Sequence, residues 1–127
     1  MAVELAGLDL TMTAENSLAA LQFHAVEMSG NFQVSDCDGT TDQVIGVLQN
    51  KPVAGAAAQV RVAGVTKWVS DGSVTAAGML VGTDGTGLAT AKTTDKDKIA
   101  GISLDGSSTT GDVVTVLLTI GNCLSKT

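Results

Sequence analysis

Aromatic side chains are nearly missing from this chain of 127 residues: Phe23, Phe32 and Trp68 are the whole set, 2% of the sequence, and there is no tyrosine. At this length about 68% of the unfolded surface is buried on folding, so one core is feasible, but Ala, Val, Leu and Ile must build it. Positive charge is equally scarce. Seven Lys and Arg stand against 13 Asp and Glu, giving a net charge of −6 and a pI near 4.4. That balance argues against nucleic acid as a partner, because phosphate neutralisation needs basic side chains, and against an anionic membrane surface. No apolar run approaches the roughly 18 to 20 residues that span a bilayer, and the N-terminus has no basic stretch ahead of an apolar one. The expectation is a soluble chain made in the cytoplasm, without a signal peptide. Only two cysteines occur, Cys37 and Cys123, 86 positions apart and in no CxxC pattern, so free thiols are expected and metal or redox chemistry is not.

What the chain has in quantity is glycine, 15 residues, against a single proline, Pro52. Together with many Thr and Val this favours short strands joined by tight turns. The expected fold is mainly β, a small compact barrel or sandwich with short hairpins and an extended N-terminal arm. Residues 22–27 and 31–34 read as a hairpin turning at Met28-Ser29-Gly30. Further strands are expected at 44–48, 59–62, 65–69, 79–81, 87–89, 99–104 and 113–120. An internal repeat emerges at an offset of 55, which brings Gly30 onto Gly85, Gly46 onto Gly101 and Val47 onto Ile102. One inserted residue then brings Gly55 onto Gly111, Val60 onto Val116 and Val62 onto Leu118. Two such units suggest approximate internal symmetry.

Residues 1–21 differ in character. They carry Leu5, Leu8, Leu10, Met12, Leu18 and Leu21 without a clean period, and Thr13 could cap no more than one helical turn. They read either as a frayed terminus or as an arm ordered by a partner, separate from a β-rich domain at 22–127. On the second reading, removing residues 1–12 leaves a folded protein that has lost its partner.

Catalysis finds little material. His24 sits in a strand-like run and no nucleophile signature accompanies it or the cysteines, so no catalytic residue and no cofactor is expected. The loop Asp36-Cys37-Asp38-Gly39-Thr40-Thr41-Asp42 begins like a calcium loop. It fails at position 12, where Val47 stands in place of a bidentate glutamate, and reads as a solvated acidic turn with no metal. Residues 93–98 alternate charge on an exposed turn, and Lys51-Pro52 starts a loop. Neither Lys67 nor Lys92 has the hairpin-tip setting of a biotin- or lipoate-bearing lysine. Trp68 is read as a core residue or as a subunit contact, a role tryptophan often fills.

Several segments carry a resemblance in order: Val44-Ile45-Gly46-Val47-Leu48-Gln49-Asn50-Lys51-Pro52, Ala54-Gly55 and Val60-Arg61-Val62-Ala63-Gly64-Val65-Thr66-Lys67. The turn Val74-Thr75-Ala76-Ala77-Gly78, the Gly85 hairpin, Ile99-Ala100-Gly101-Ile102 and Gly111-Asp112-Val113-Val114-Thr115-Val116-Leu117-Leu118 continue it. From residue 22 to 118 the chain resembles the capsid decoration, or cement, proteins of tailed bacteriophages. Met79 departs from the acidic residue that family often has after the glycine at Gly78. The resemblance implies a non-enzymatic virion protein that sits as a homotrimer on the outside of the phage head, at local three-fold axes, and stabilises the capsid. Its partners are then the major capsid protein and its own copies. Leu5, Leu8, Leu10 and Met12 are the expected capsid contacts and Trp68 the expected trimer contact. A rival reading is a virion-surface module that binds host glycans or cells; the shortage of aromatic platforms gives it little to work with.

Overall fold

The structure, a computed structural model, describes residues 7–94 and 98–119, and all regular elements among them are strands. In chain order these are β1 (Leu8–Ala14), β2 (Ala25–Gly30), β3 (Gln33–Asp36), β4 (Val44–Leu48), β5 (Ala57–Val69), β6 (Leu80–Thr83), β7 (Ala89–Ala91), β8 (Gly101–Ser103) and β9 (Val113–Leu118). They hydrogen-bond in the order β1-β3-β2-β4-β5-β9-β8-β6-β7, and β1 also pairs with β5. That extra pairing closes β1, β3, β2, β4 and the first half of β5 into a five-stranded barrel. The mainly β expectation therefore holds, and the barrel is the form it takes.

Beyond Gly64 the strand β5 leaves this barrel and enters a second unit. Its later half pairs with β9 from Gly64↔Leu118 to Val69↔Val113. Gly64 has a φ of 96°, a left-handed backbone that glycine adopts without steric penalty, at the point of passage. The two strands expected at 59–62 and 65–69 are thus one strand serving two units. β8, β6 and β7 complete the second unit, and a parallel bridge between Ser70 and Ala89 links its two ends.

The second unit repeats most of the first unit's strand pairs in register. Val47↔Arg61 is matched by Ile102↔Leu117, Ala25↔Val47 by Leu80↔Ile102, and Val26↔Asp36 by Val81↔Ala91. The parallel pair Ala14↔Val34 is matched by Ser70↔Ala89. Loop hydrogen bonds repeat as well. The Ala14 N–H donates to the Ala56 carbonyl (3.0 Å) as Ser70 does to Asp112 (2.8 Å), and Glu15 donates to Val34 (2.9 Å) as Asp71 does to Ala89 (3.0 Å). Gly46 and Gly101 are indispensable for one reason: a Cβ on either would collide with the carbonyl of the neighbouring strand, at Arg61 or at Leu117. The repeat seen from Gly30 onward in sequence therefore reaches back to β1, whose counterpart is the second half of β5. Residues 8–63 and 64–119 are the two copies.

This assignment corrects the expected division at residue 21. β1 is a member of the first barrel, paired with β5 from Leu8↔Ala63 to Thr13↔Ala57, and Thr13 caps no helical turn. Met12 and Ala14 point inward, buried with Leu18, Val26, Val34, Leu48, Ala58 and Val60. The counterparts of these residues in the second unit (Trp68, Ser70, Val74, Val81, Ala89, Ser103, Val114 and Val116) are buried too. The first hairpin turns at 31–32, after the expected Met28-Ser29-Gly30 and not within it, with Phe32 at a φ of 49°.

Candidate interaction surface

The residues expected to meet partners separate cleanly by burial. Leu5 and Cys123 lie outside the described residues, as does the 95–97 stretch of the charged turn. Met12 is spent on the first barrel's core. Trp68, expected at a trimer contact, is fully buried within its own chain, and its indole Nε1–H donates to the Gly87 carbonyl at 2.9 Å. Alternation along β5 puts it on the inward side with Thr66, so it presents no surface to another copy. Leu8 and Leu10 remain exposed, at 55% and 39%.

Leu10 lies on the side of β1 that carries Met12 and Ala14, and Met28 on the side of β2 that carries Val26. Both therefore extend the inward rows to the rim of the barrel. Phe32, 75% exposed at the β2–β3 turn, stands at the same end, where its carbonyl accepts the Thr13 N–H at 2.8 Å. Leu10, Met28 and Phe32 thus give the first barrel an apolar, uncovered end.

The second barrel has an apolar flank. Leu80, Ile102, Leu117 and Val65 are successive cross-strand partners over β6, β8, β9 and β5, so they share one face. Leu117 and the nearby Leu104 are exposed, the other three half-buried. The same row in the first unit is Ala25, Val47, Arg61 and Asp9. Its far end is charged, with Arg61 Nε and Nη2 on the two Asp9 oxygens at 2.7 and 3.1 Å.

A cluster of titratable groups lies beside the first unit's flank. Glu27, Cys37 and Asp42 each bring one ligand atom within 4.8 Å of the others. Burial, then a hydrogen bond to the Asp42 carboxyl and the charges of Asp42, Asp38 and Asp36, push Glu27 up to about 7. Burial also raises Asp42, but the Asp38 and Gly39 N–H groups donating to it at 2.9 Å, together with Glu27, outweigh this and hold it below the usual carboxylate range. The pair can therefore keep one proton, carried on Glu27. Cys37 is packed in the buried cluster, where burial, Glu27 and Asp42 push its thiol up and disfavour the thiolate. Sequence reading found the acidic loop but missed Glu27, which reaches it only because β2 pairs with β4 at Glu27↔Val44. His24 sits apart from these groups, its Nδ1 3.4 Å from the Thr86 carbonyl.

No protein-family model and no curated protein sequence matches the chain. Among solved structures, the crystal structure of the head fiber gp8.5 N base of bacteriophage phi29 is similar, with a TM-score of 0.66 at 17% identity. The match covers 94% of this chain and 97% of that one, so the similarity extends over both units of this chain.

Proposed function

We propose that the chain is a structural protein of a bacteriophage head, which binds the outer surface of the capsid as a trimer at local three-fold axes and reinforces it. The supporting observation is the likeness in fold, nearly end to end, to the base of a phage head fiber. The resemblance of residues 22–118 to phage decoration proteins points the same way, from sequence. The uncovered features of the molecule are apolar surfaces suited to protein contacts.

Reinforcement follows from linkage. A protein that binds only the assembled shell stabilises it by mass action, and three joined copies convert weak single contacts into firm attachment through effective concentration. The test is co-sedimentation with undecorated, expanded heads of matched phages. Saturable pelleting at three copies per three-fold site is the expected result. Failure to pellet across matched heads overturns the proposal and leaves the double barrel without a capsid.

A further inference from the structure

Inside the chain, the end of the second barrel is covered by the flank of the first. Gly87 accepts the Ala25 N–H at 2.8 Å, Thr66 accepts the Gln49 side-chain N–H at 2.8 Å, and the Val69 N–H donates to the Phe23 carbonyl at 2.9 Å. Ala25, Cys37, Val44 and Val47 of the first unit join Trp68, Val81 and Ala89 of the second in one buried cluster. At this junction Thr66 and Thr83 are 0% and 2% exposed, and Gly87 is buried.

The internal repeat identifies the matching residues of the first barrel. Thr66, Thr83 and Gly87 correspond to Leu10, Met28 and Phe32, which are the residues of the uncovered end. The flank residues Ala25 and Val47, buried at the junction, correspond to Leu80 and Ile102 on the half-exposed flank of the second barrel. Each chain thus carries one used junction and both halves of a second, unused one. The unused halves are the more apolar: Leu, Met and Phe replace two Thr and a Gly, and the outer end of the flank holds Leu117 and Val65 where the first unit has Arg61 and Asp9.

We infer that the end of the first barrel docks on the flank of the second barrel of another copy of this chain, so that copies join head to tail through a repeat of the internal junction. Leu10, expected from sequence to touch the capsid, belongs on this basis to the contact between copies. Such a contact is heterologous: it closes a ring when the rotation between copies permits and extends a filament otherwise. Closure at three rests on the proposed trimer; the contact itself does not depend on a capsid.

Sedimentation of the full chain without heads tests it, using two variants. One carries Met28→Glu with Phe32→Asp, since aspartate tolerates the left-handed backbone at residue 32; the other carries Leu104→Glu with Leu117→Glu. All four positions are exposed, and unchanged thermal melting of the unassociated chain confirms that the barrels persist. The wild type is expected to sediment as an assembly and each variant as a monomer. An equimolar mixture of the variants is expected to give a dimer and nothing larger, because it retains one intact end and one intact flank. A monomeric wild type, a folded variant that assembles like wild type, or a mixture that stays monomeric overturns the inference. Assembly in solution without pelleting on heads would leave it standing while removing the capsid proposal.

Discussion

Two residues show how far a side chain's role is set by its position in the repeat. Met12 and Trp68 are equivalent, each the central inward side chain of its barrel's entry strand, and both are buried. Trp68→Ala removes the largest buried side chain and the hydrogen bond to Gly87, for an expected loss of about 3–5 kcal/mol; Met12→Ala is expected to cost roughly 2–5 kcal/mol, both read by denaturant unfolding. Burial of Trp68 was one of the two readings open in the sequence, and nothing in its flanking residues could choose between them. Glu27 makes a different prediction. Its carboxyl, raised to about 7 against an ordinary value of 4.5, binds more proton in the folded than in the unfolded chain between those values. Its contribution is therefore full below pH 4.5 and is lost as the pH rises through 7. Asp42, held low, works in the opposite direction and withdraws its contribution only in more acid solution. Melting temperature is expected to fall between pH 5 and 8, and Glu27→Gln, which stays neutral, is expected to flatten that slope. An unchanged slope in Glu27→Gln would show that the carboxyl pair does not share a proton.

At the level of elements, β1 is where sequence and structure part. Its apolar residues have no period because they answer to different surroundings: Met12 and Ala14 face the core, while Leu8 and Leu10 stand at an uncovered end. The segment was therefore expected to be an arm whose removal spares the fold. In the barrel it supplies the closing pairs with both β3 and β5, so deleting residues 1–14 exposes the β5 edge and the buried cluster around Leu48 and Val60. Loss of the cooperative unfolding transition is the expected result. The strands built on glycine spacing were legible, because Gly46 and Gly101 must each lie against a neighbouring carbonyl and no other residue fits there. Gly46→Ala and Gly101→Ala are accordingly expected to destabilise the protein by similar amounts, whereas Gly55→Ala and Gly111→Ala, in open space at φ of 80° and 93°, are expected to incur only backbone strain, about 1–2 kcal/mol each. Equilibrium unfolding of the four variants distinguishes the two kinds of site.

For the whole molecule, the repeat poses the question of whether the barrels are two folding units or one. Two features bind them. β5 is continuous, the last strand of one barrel and the first of the next, and the larger buried cluster draws Ala25, Cys37, Val44 and Val47 from the first unit into the core of the second. Neither feature could be read from the sequence, where the repeat suggests approximate internal symmetry within one compact barrel or sandwich and Ala25 or Val47 has no mark of facing another barrel. The consequence is thermodynamic. If one barrel opened alone, the other would present this apolar surface to water and lose half the pairing of a shared strand, so partial unfolding is disfavoured. Calorimetry of the unassociated Met28→Glu, Phe32→Asp chain is expected to show one transition whose van't Hoff enthalpy equals the calorimetric value, about 80–90 kcal/mol near 60 °C for a chain of this length. Independent barrels would instead give a van't Hoff enthalpy near half the calorimetric one. Gly46→Ala and Gly101→Ala, one in each barrel, sharpen the distinction: each should move the single transition as a whole, and a second peak shifted by only one of them would show that the junction does not couple the two copies.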